Sequence, residues 1–173
     1  LLAASAVARA KNDGYTLLLT TNSTHSAANG LFKSVPYDPI KDFTPIARIG
    51  SFPSFVAVHP SQPVNSMQEL VAHAKANPGK LSYGVGNSTA QITGETIKKR
   101  TGIDLVRVNY RSNPAALTDL IAGHIQVMIP DFNTGLSQIT AKTIRPLAVL
   151  TANRNPALPD VPTLSETVMP GFD

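Results

Sequence analysis

The tripeptide Asn-Ser-Thr occurs twice, at Asn22-Ser23-Thr24 and at Asn87-Ser88-Thr89, each time after an apolar run that reads as a strand. The second copy lies in Gly84-Val85-Gly86-Asn87-Ser88-Thr89. There the glycines let the backbone turn tightly and approach a ligand. The amide and hydroxyl side chains stand beside the unpaired N–H groups of a starting helix, which is the chemistry of an anion site. The first copy, preceded by Thr21 and by the strand-like residues 15–20, repeats that chemistry, and the two loops are expected to face each other across one cleft.

Catalytic and metal chemistry find less support. Ser88, His25 and Asp131 could be assembled as a triad, but no Gly-x-Ser-x-Gly elbow presents the serine. The histidines at 25, 59, 73 and 124 show no paired ligand spacing, and the absence of cysteine removes thiolate sites and disulfides. Gly84-Val85-Gly86 begins a dinucleotide fingerprint that lacks its third glycine, and no acid ends the following strand. No catalytic residue, metal or cofactor is therefore expected. The Asn-x-Ser/Thr patterns at Asn22 and Asn87 read as binding loops and not as glycan acceptors.

The elements that must position these loops are legible as an α/β alternation. With 173 residues, 42% hydrophobic and 15% charged, the chain can bury a real core. Ser66-Met67-Gln68-Glu69 reads as a capping box, with Met67, Leu70, Val71 and Ala74 forming one helical stripe before Asn77-Pro78-Gly79. Strands are expected at 81–86, 105–110, 125–130 and 145–150, and helices at 89–99, 114–122 and 135–141. That is the βαβ spacing of a parallel sheet whose strands are buried on both faces. Lys98-Lys99-Arg100 falls where a helix should end, so it reads as a solvated cap and not as a nucleic-acid patch. Residues 1–10 read as an Ala-rich helix, residues 43–49 and 55–58 as extended segments, and Thr163-Leu164-Ser165-Glu166 as a second capping box. No stretch is long and apolar enough for a membrane span, and no direct membrane insertion is expected.

Ligands of open α/β sheets gather at the carboxyl ends of strands. The residues there are Gly86-Asn87-Ser88-Thr89, Tyr110-Arg111-Ser112-Asn113, Asp131-Phe132-Asn133-Thr134 and Thr151-Ala152-Asn153-Arg154. Most are neutral hydrogen-bonding groups, suited to a ligand held by directed bonds and helix N-termini. Asp131 has two readings, as a group facing the ligand or as the cap of the next helix.

Five segments, in order, carry a family resemblance. They are Asp13-Gly14-Tyr15-Thr16-Leu17-Leu18-Leu19, Tyr37-Asp38-Pro39-Ile40-Lys41-Asp42-Phe43-Thr44-Pro45-Ile46, Ala76-Asn77-Pro78-Gly79-Lys80-Leu81-Ser82-Tyr83-Gly84, Ala116-Leu117-Thr118-Asp119-Leu120-Ile121-Ala122-Gly123 and Leu158-Pro159-Asp160-Val161-Pro162-Thr163. Together they resemble the signature segments of Bug-type receptors, the extracytoplasmic solute-binding proteins of tripartite tricarboxylate transporters. The resemblance implies a two-lobed periplasmic binding protein-like (type II) α/β fold, each lobe a βα-layered sheet, with residues 1–55 an incomplete first lobe and 56–173 the second. It implies a periplasmic receptor, not an enzyme, that hands a small organic carboxylate to membrane permease subunits and needs no cofactor. Carried over by position, the ligand-binding residues are Thr21, Asn22, Ser23 and Thr24, then Gly86, Asn87, Ser88, Thr89, Tyr110 and Asp131. Two departures stand out: Lys142 where the family usually ends a helix with glycine, and Asn109 in place of a proline before the strand-end tyrosine. The rival readings are an effector-binding domain of a transcriptional regulator and, third, a nucleotide-dependent enzyme.

Overall fold

The computed structural model describes residues 1–172. The chain divides into two compact units, Leu1–Gly50 and Ser51 onward.

The first unit holds helix α1 (Leu2–Ala8), a 3-10 turn at Asn22–Thr24 and the short helix α2 (Ala28–Leu31). Residues 15–20, expected as a strand, and 43–49, read as an extended segment, join no ladder among the described residues. The reason is physical: a segment becomes a strand only when a neighbour accepts and donates its backbone hydrogen bonds, and neither segment has one among the described residues. Tyr15 is consequently 92% exposed and Leu19 81%. The unit's order comes instead from a small aromatic cluster. The Phe43 ring packs edge-on against His25 and Tyr37, and the Tyr37 hydroxyl donates to Thr24 O at 2.7 Å.

The second unit is one five-stranded sheet between two helical layers. Its strands are β1 (Phe55–Val58), β2 (Ser82–Val85), β3 (Val106–Asn109), β4 (Val127–Met128) and β5 (Arg145–Val149), in the order β3-β2-β4-β1-β5. As the βαβ spacing predicts, β2 lies parallel to both β3 and β4. The four strands expected to run parallel share one direction, and β1, read from sequence only as an extended segment, joins them antiparallel to β4 and to β5. The carboxyl ends of the other four strands therefore share an edge with the amino end of β1, where Ser54 bridges to Asp131.

Alternation along β1 separates two cores. Val56 and Val58 face one side, with Met67, Leu70 and Ala74 of α3 (Met67–Ala76) and Ala90 and Ile97 of α4 (Ser88–Thr101). Phe55 and Ala57 face the other, with Ala116, Leu117 and Leu120 of α5 (Asn113–Ile121) and Phe132 of α6 (Phe132–Thr140). The last helix, α7 (Leu164–Thr167), buries Leu164 in the first of these cores and opens with the complete capping box expected at Thr163 and Glu166.

Two sequence expectations change in detail, and one departure finds its place. The β3 strand is exposed at Val106, Arg107 and Asn109, because it lies at the sheet's edge and not between two strands. The Ser66 box is displaced: Ser66 Oγ accepts from Glu69 N at 3.1 Å, while the Glu69 carboxylate reaches Asn65 N at 2.6 Å. Lys142 is the sole non-glycine residue with positive φ among the described residues, at 59°. It occupies the position after α6 that Gly123 occupies after α5. In both, the N–H three residues past the helix reaches back across the last turn: Thr143 N to Gln138 O at 3.0 Å, and His124 N to Asp119 O at 2.9 Å.

Candidate functional site

The junction of β2 and α4 shows how the sequence builds the site. Leu81, Tyr83 and Val85 are buried, so the strand runs into the sheet's carboxyl edge without freedom to shift. Asn87 then caps α4, its Oδ1 accepting from Ala90 N at 2.8 Å. Ser88 and Thr89 form the first turn of this fourteen-residue helix, whose N-terminus carries a partial positive charge. At the other end Lys98, Lys99 and Arg100 occupy the last turn before Gly102, as the cap reading expects.

Gly86 lets this loop touch the start of α5. A Cβ at Gly86 would stand 2.4 Å from Asn113 N and 2.6 Å from Asn113 Oδ1, closer than any side chain tolerates. Asn113, 6% exposed, turns its Nδ2 to Asp131 Oδ2 at 2.6 Å, while its Oδ1 has no hydrogen-bond partner among the described residues. The other carboxylate oxygen, Asp131 Oδ1, accepts from Thr134 N and Thr134 Oγ1, both at 2.9 Å. Of the two readings open for Asp131, the geometry is thus that of the α6 cap, with both oxygens engaged. Burial pushes its pKa up, but the hydrogen bonds from Asn113 and Thr134 outweigh burial and hold the carboxyl below its ordinary range. Gly86, Asn87, Asn113 and Asp131 are in this way joined into one polar seam along the carboxyl edge.

Tyr110 is placed differently from the other second-unit residues. Its hydroxyl donates to Asp119 Oδ2 of α5 at 2.7 Å, and burial followed by that bond pushes its pKa up to about 12. It stays a neutral donor committed to α5. In the first unit, Thr21, Asn22, Ser23 and Thr24 come together in the 3-10 turn, where hydroxyls bond chiefly to local partners. Thr20 and Thr24 hydroxyls pair with each other, Thr21 Oγ1 lies 3.3 Å from Ser23 Oγ, and Thr24 Oγ1 donates to Thr21 O at 3.1 Å. His25 Nδ1 sits 3.2 Å from Thr20 Oγ1, within the first unit, whereas Ser88 and Asp131 belong to the second.

Beside the seam, between α4 and the start of β1, lies a cavity of about 200 Å³. Thr89, Thr93 and Ser54 supply its polar lining, and Phe52, Leu150 and Phe172 are among its apolar walls. Of these only Thr89 was a site candidate from sequence. The signals for the others were faint: Thr93 stands four residues after Thr89 on the same helix face, and Ser54 falls in the Gly50-Ser51-Phe52-Pro53-Ser54 segment that reads as a spacer. Among the described residues, no cluster of metal-ligating side chains and no helix long and apolar enough to cross a membrane occurs.

The chain matches the tripartite tricarboxylate transporter family receptor (TctC) over residues 1–173. It is 39% identical to a UPF0065 protein of Bordetella bronchiseptica across 99% of its own length and 51% of that protein's. With the protein BugT of Bordetella pertussis it shares 31% identity across 96% of its length and 52% of BugT's. Among solved structures, an R. palustris protein with adipate superposes with a TM-score of 0.91 at 36% identity, covering 99% of this chain and 58% of that one. MatC from Rhodopseudomonas palustris with bound malate gives a TM-score of 0.86 at 27% identity, over 99% of this chain and 59% of MatC. The chain spans about half the length of the curated relatives it matches. Its folded sheet, its ordered motifs and a match running from end to end place it in the family of Bug-type receptors of tripartite tricarboxylate transporters.

Proposed function

We propose that this chain is part of a periplasmic solute receptor that captures a small organic carboxylate for a tripartite tricarboxylate-type permease, binding it without chemical change. The observation that carries the reading is the β2–α4 junction. A rigid strand delivers the first turn of a long capped helix to the carboxyl edge of the sheet, with neutral hydroxyl and amide groups around it. Such a turn favours a carboxylate through the partial positive charge of the helix N-terminus and its outward-facing backbone donors. Each charge-assisted hydrogen bond formed there contributes about 1.5–3 kcal/mol. The relatives solved with adipate and with malate support an acid as the ligand class. Gly86, Asn87, Ser88 and Thr89 are the assigned anion-holding residues. Asp131 shapes the site by fixing α6 and Asn113.

Calorimetric titration of the full-length receptor with a panel of mono-, di- and hydroxycarboxylic acids and their neutral amides tests this. At least one acid binds, its amide binds far more weakly, and the acid is recovered unchanged. Steady conversion of a bound acid, or equal affinity for acid and amide, contradicts it.

A further inference from the structure

The cavity beside α4 contains two hydroxyls whose situation the receptor reading leaves unexplained. Ser54 is 5% exposed and Thr93 4% exposed, both line the cavity, and neither hydroxyl has a hydrogen-bond partner among the described residues. Asn113 Oδ1 is the one fully sealed side-chain polar atom without a partner among those residues. The Ser54 and Thr93 oxygens therefore keep some accessible surface, and for residues this deeply buried that surface is on the cavity. Buried hydroxyls are almost always bonded, so two unbonded ones aimed into one space mark a place where a polar atom is missing.

The rest of the lining says what carries that atom. Phe52, Pro53, Leu150 and Phe172 form the walls, and among the described residues no lysine, arginine, histidine or acid lines the space. Phe52 is 68% exposed, a large apolar surface left to water at the cavity's rim. Thr93 stands in the second turn of α4, past the first-turn N–H groups. A carboxylate placed there would meet two neutral hydroxyls and apolar carbon, which does not compensate its lost hydration. A hydroxyl, carbonyl or ether oxygen would be satisfied by the same two groups. The volume, about 200 Å³, exceeds the roughly 150 Å³ of an apolar cavity that accepts one benzene ring.

Resting on the receptor reading above, we infer that this cavity takes the uncharged end of the bound acid. The ligand class is a monocarboxylate with a ring-sized or branched apolar body that carries one neutral oxygen. The carboxylate sits at the first turn of α4, which Thr89 shares with the cavity, and the body extends past Thr89 toward Thr93 and Ser54.

The test ranks three probes on the full-length receptor by calorimetry: 4-hydroxyphenylacetate, hexanoate and adipate. The hydroxylated aromatic acid binds tightest, and both monocarboxylates bind on the order of tenfold or more tighter than adipate. Thr93→Leu, which fills the cavity, abolishes the preference for the aromatic acid while acetate still competes at the helix turn. Thr93→Val, nearly isosteric, lowers the advantage of 4-hydroxyphenylacetate over phenylacetate and leaves hexanoate unchanged. The ranking on the unaltered receptor decides the case even where Thr93→Leu does not fold. Adipate binding as tightly as the monocarboxylates overturns the proposal and leaves the receptor reading standing. So does a folded Thr93→Leu with an unchanged ranking, since the receptor's own chain would then occupy the space. Failure of every carboxylate to bind overturns both.

Discussion

The same three residues, Asn-Ser-Thr, end in two different structures. At Asn87-Ser88-Thr89 they open a fourteen-residue helix after a strand whose Leu81, Tyr83 and Val85 are at most 6% exposed. At Asn22-Ser23-Thr24 they form one 3-10 turn after an extended segment whose Tyr15, Leu17 and Leu19 are at least 70% exposed. The tripeptide supplies donors and acceptors in both places. What differs is the buried surface on either side, which alone can hold such a turn in one orientation. Local chemistry proposes a site, and packing decides whether it is rigid.

Separating the two units breaks the comparison most severely. Each fully buried large side chain stabilises by about 1.5–3 kcal/mol, and in the first unit only Ala4, Ala28 and Tyr37 are buried apolar residues among those described. A chain of residues 51–173 is expected to melt cooperatively by circular dichroism. A chain of residues 1–50 is expected to show no cooperative transition. A sharp melt for the shorter chain would show that its aromatic cluster is a sufficient core.

Next in size is Asp131→Ala, which removes the α6 cap and strands the Asn113 amide, costing about 2–4 kcal/mol at neutral pH. The sign of its pH dependence follows from the lowered pKa. A carboxyl held below its unfolded value contributes stability that is present above that value and lost as pH falls through the folded one. The gap between wild type and Asp131→Ala in urea unfolding should therefore be constant at neutral pH and shrink below about pH 4. A gap that does not narrow in acid would mean the ionised carboxylate is not the stabilising form.

A matched pair of substitutions sharpens the contrast further. Asn87→Ala deletes the bond to Ala90 N and should cost about 1 kcal/mol, whereas the 3-10 turn has no side-chain cap bond and Asn22→Ala should cost less than about 0.5 kcal/mol. Equal losses in denaturant melts would erase the structural difference between the two copies. The smallest effect belongs to the helix ends. Lys142 holds a left-handed conformation that Gly123 adopts at no cost, so Lys142→Gly should raise stability by about 0.5–1 kcal/mol. A loss on that substitution would point to a Lys142 side-chain contact of greater value than the relieved strain.

These residues also mark what was legible before any coordinates. The helices of the second unit, the glycine and lysine ends of α5 and α6, and the β2–α4 loop were readable because caps, periodicity and turn residues are local signals. The antiparallel β1 was not, since Phe55-Val56-Ala57-Val58 reads the same in either direction and only its pairing with Val127-Met128 and residues 145–149 decides. Residues 15–20 form no strand among the described residues for the same reason, as an apolar run predicts a partner without providing one. Within the site, Asn87 and the polar loops were visible. The Asn113 amide bound to Asp131 across 18 positions, and the pairing of Ser54 with Thr93 in one cavity, depend on tertiary approach that no spacing encodes.

The central claim is that the first turn of α4 holds a ligand carboxylate. A crystal structure of the full-length receptor with its acid bound tests it most directly. The account predicts a carboxylate oxygen about 3 Å from a backbone N–H of Ser88 or Thr89, with Asp131 still bonded to Asn113 and Thr134. A carboxylate held by other elements, with the α4 turn facing only water, would contradict it.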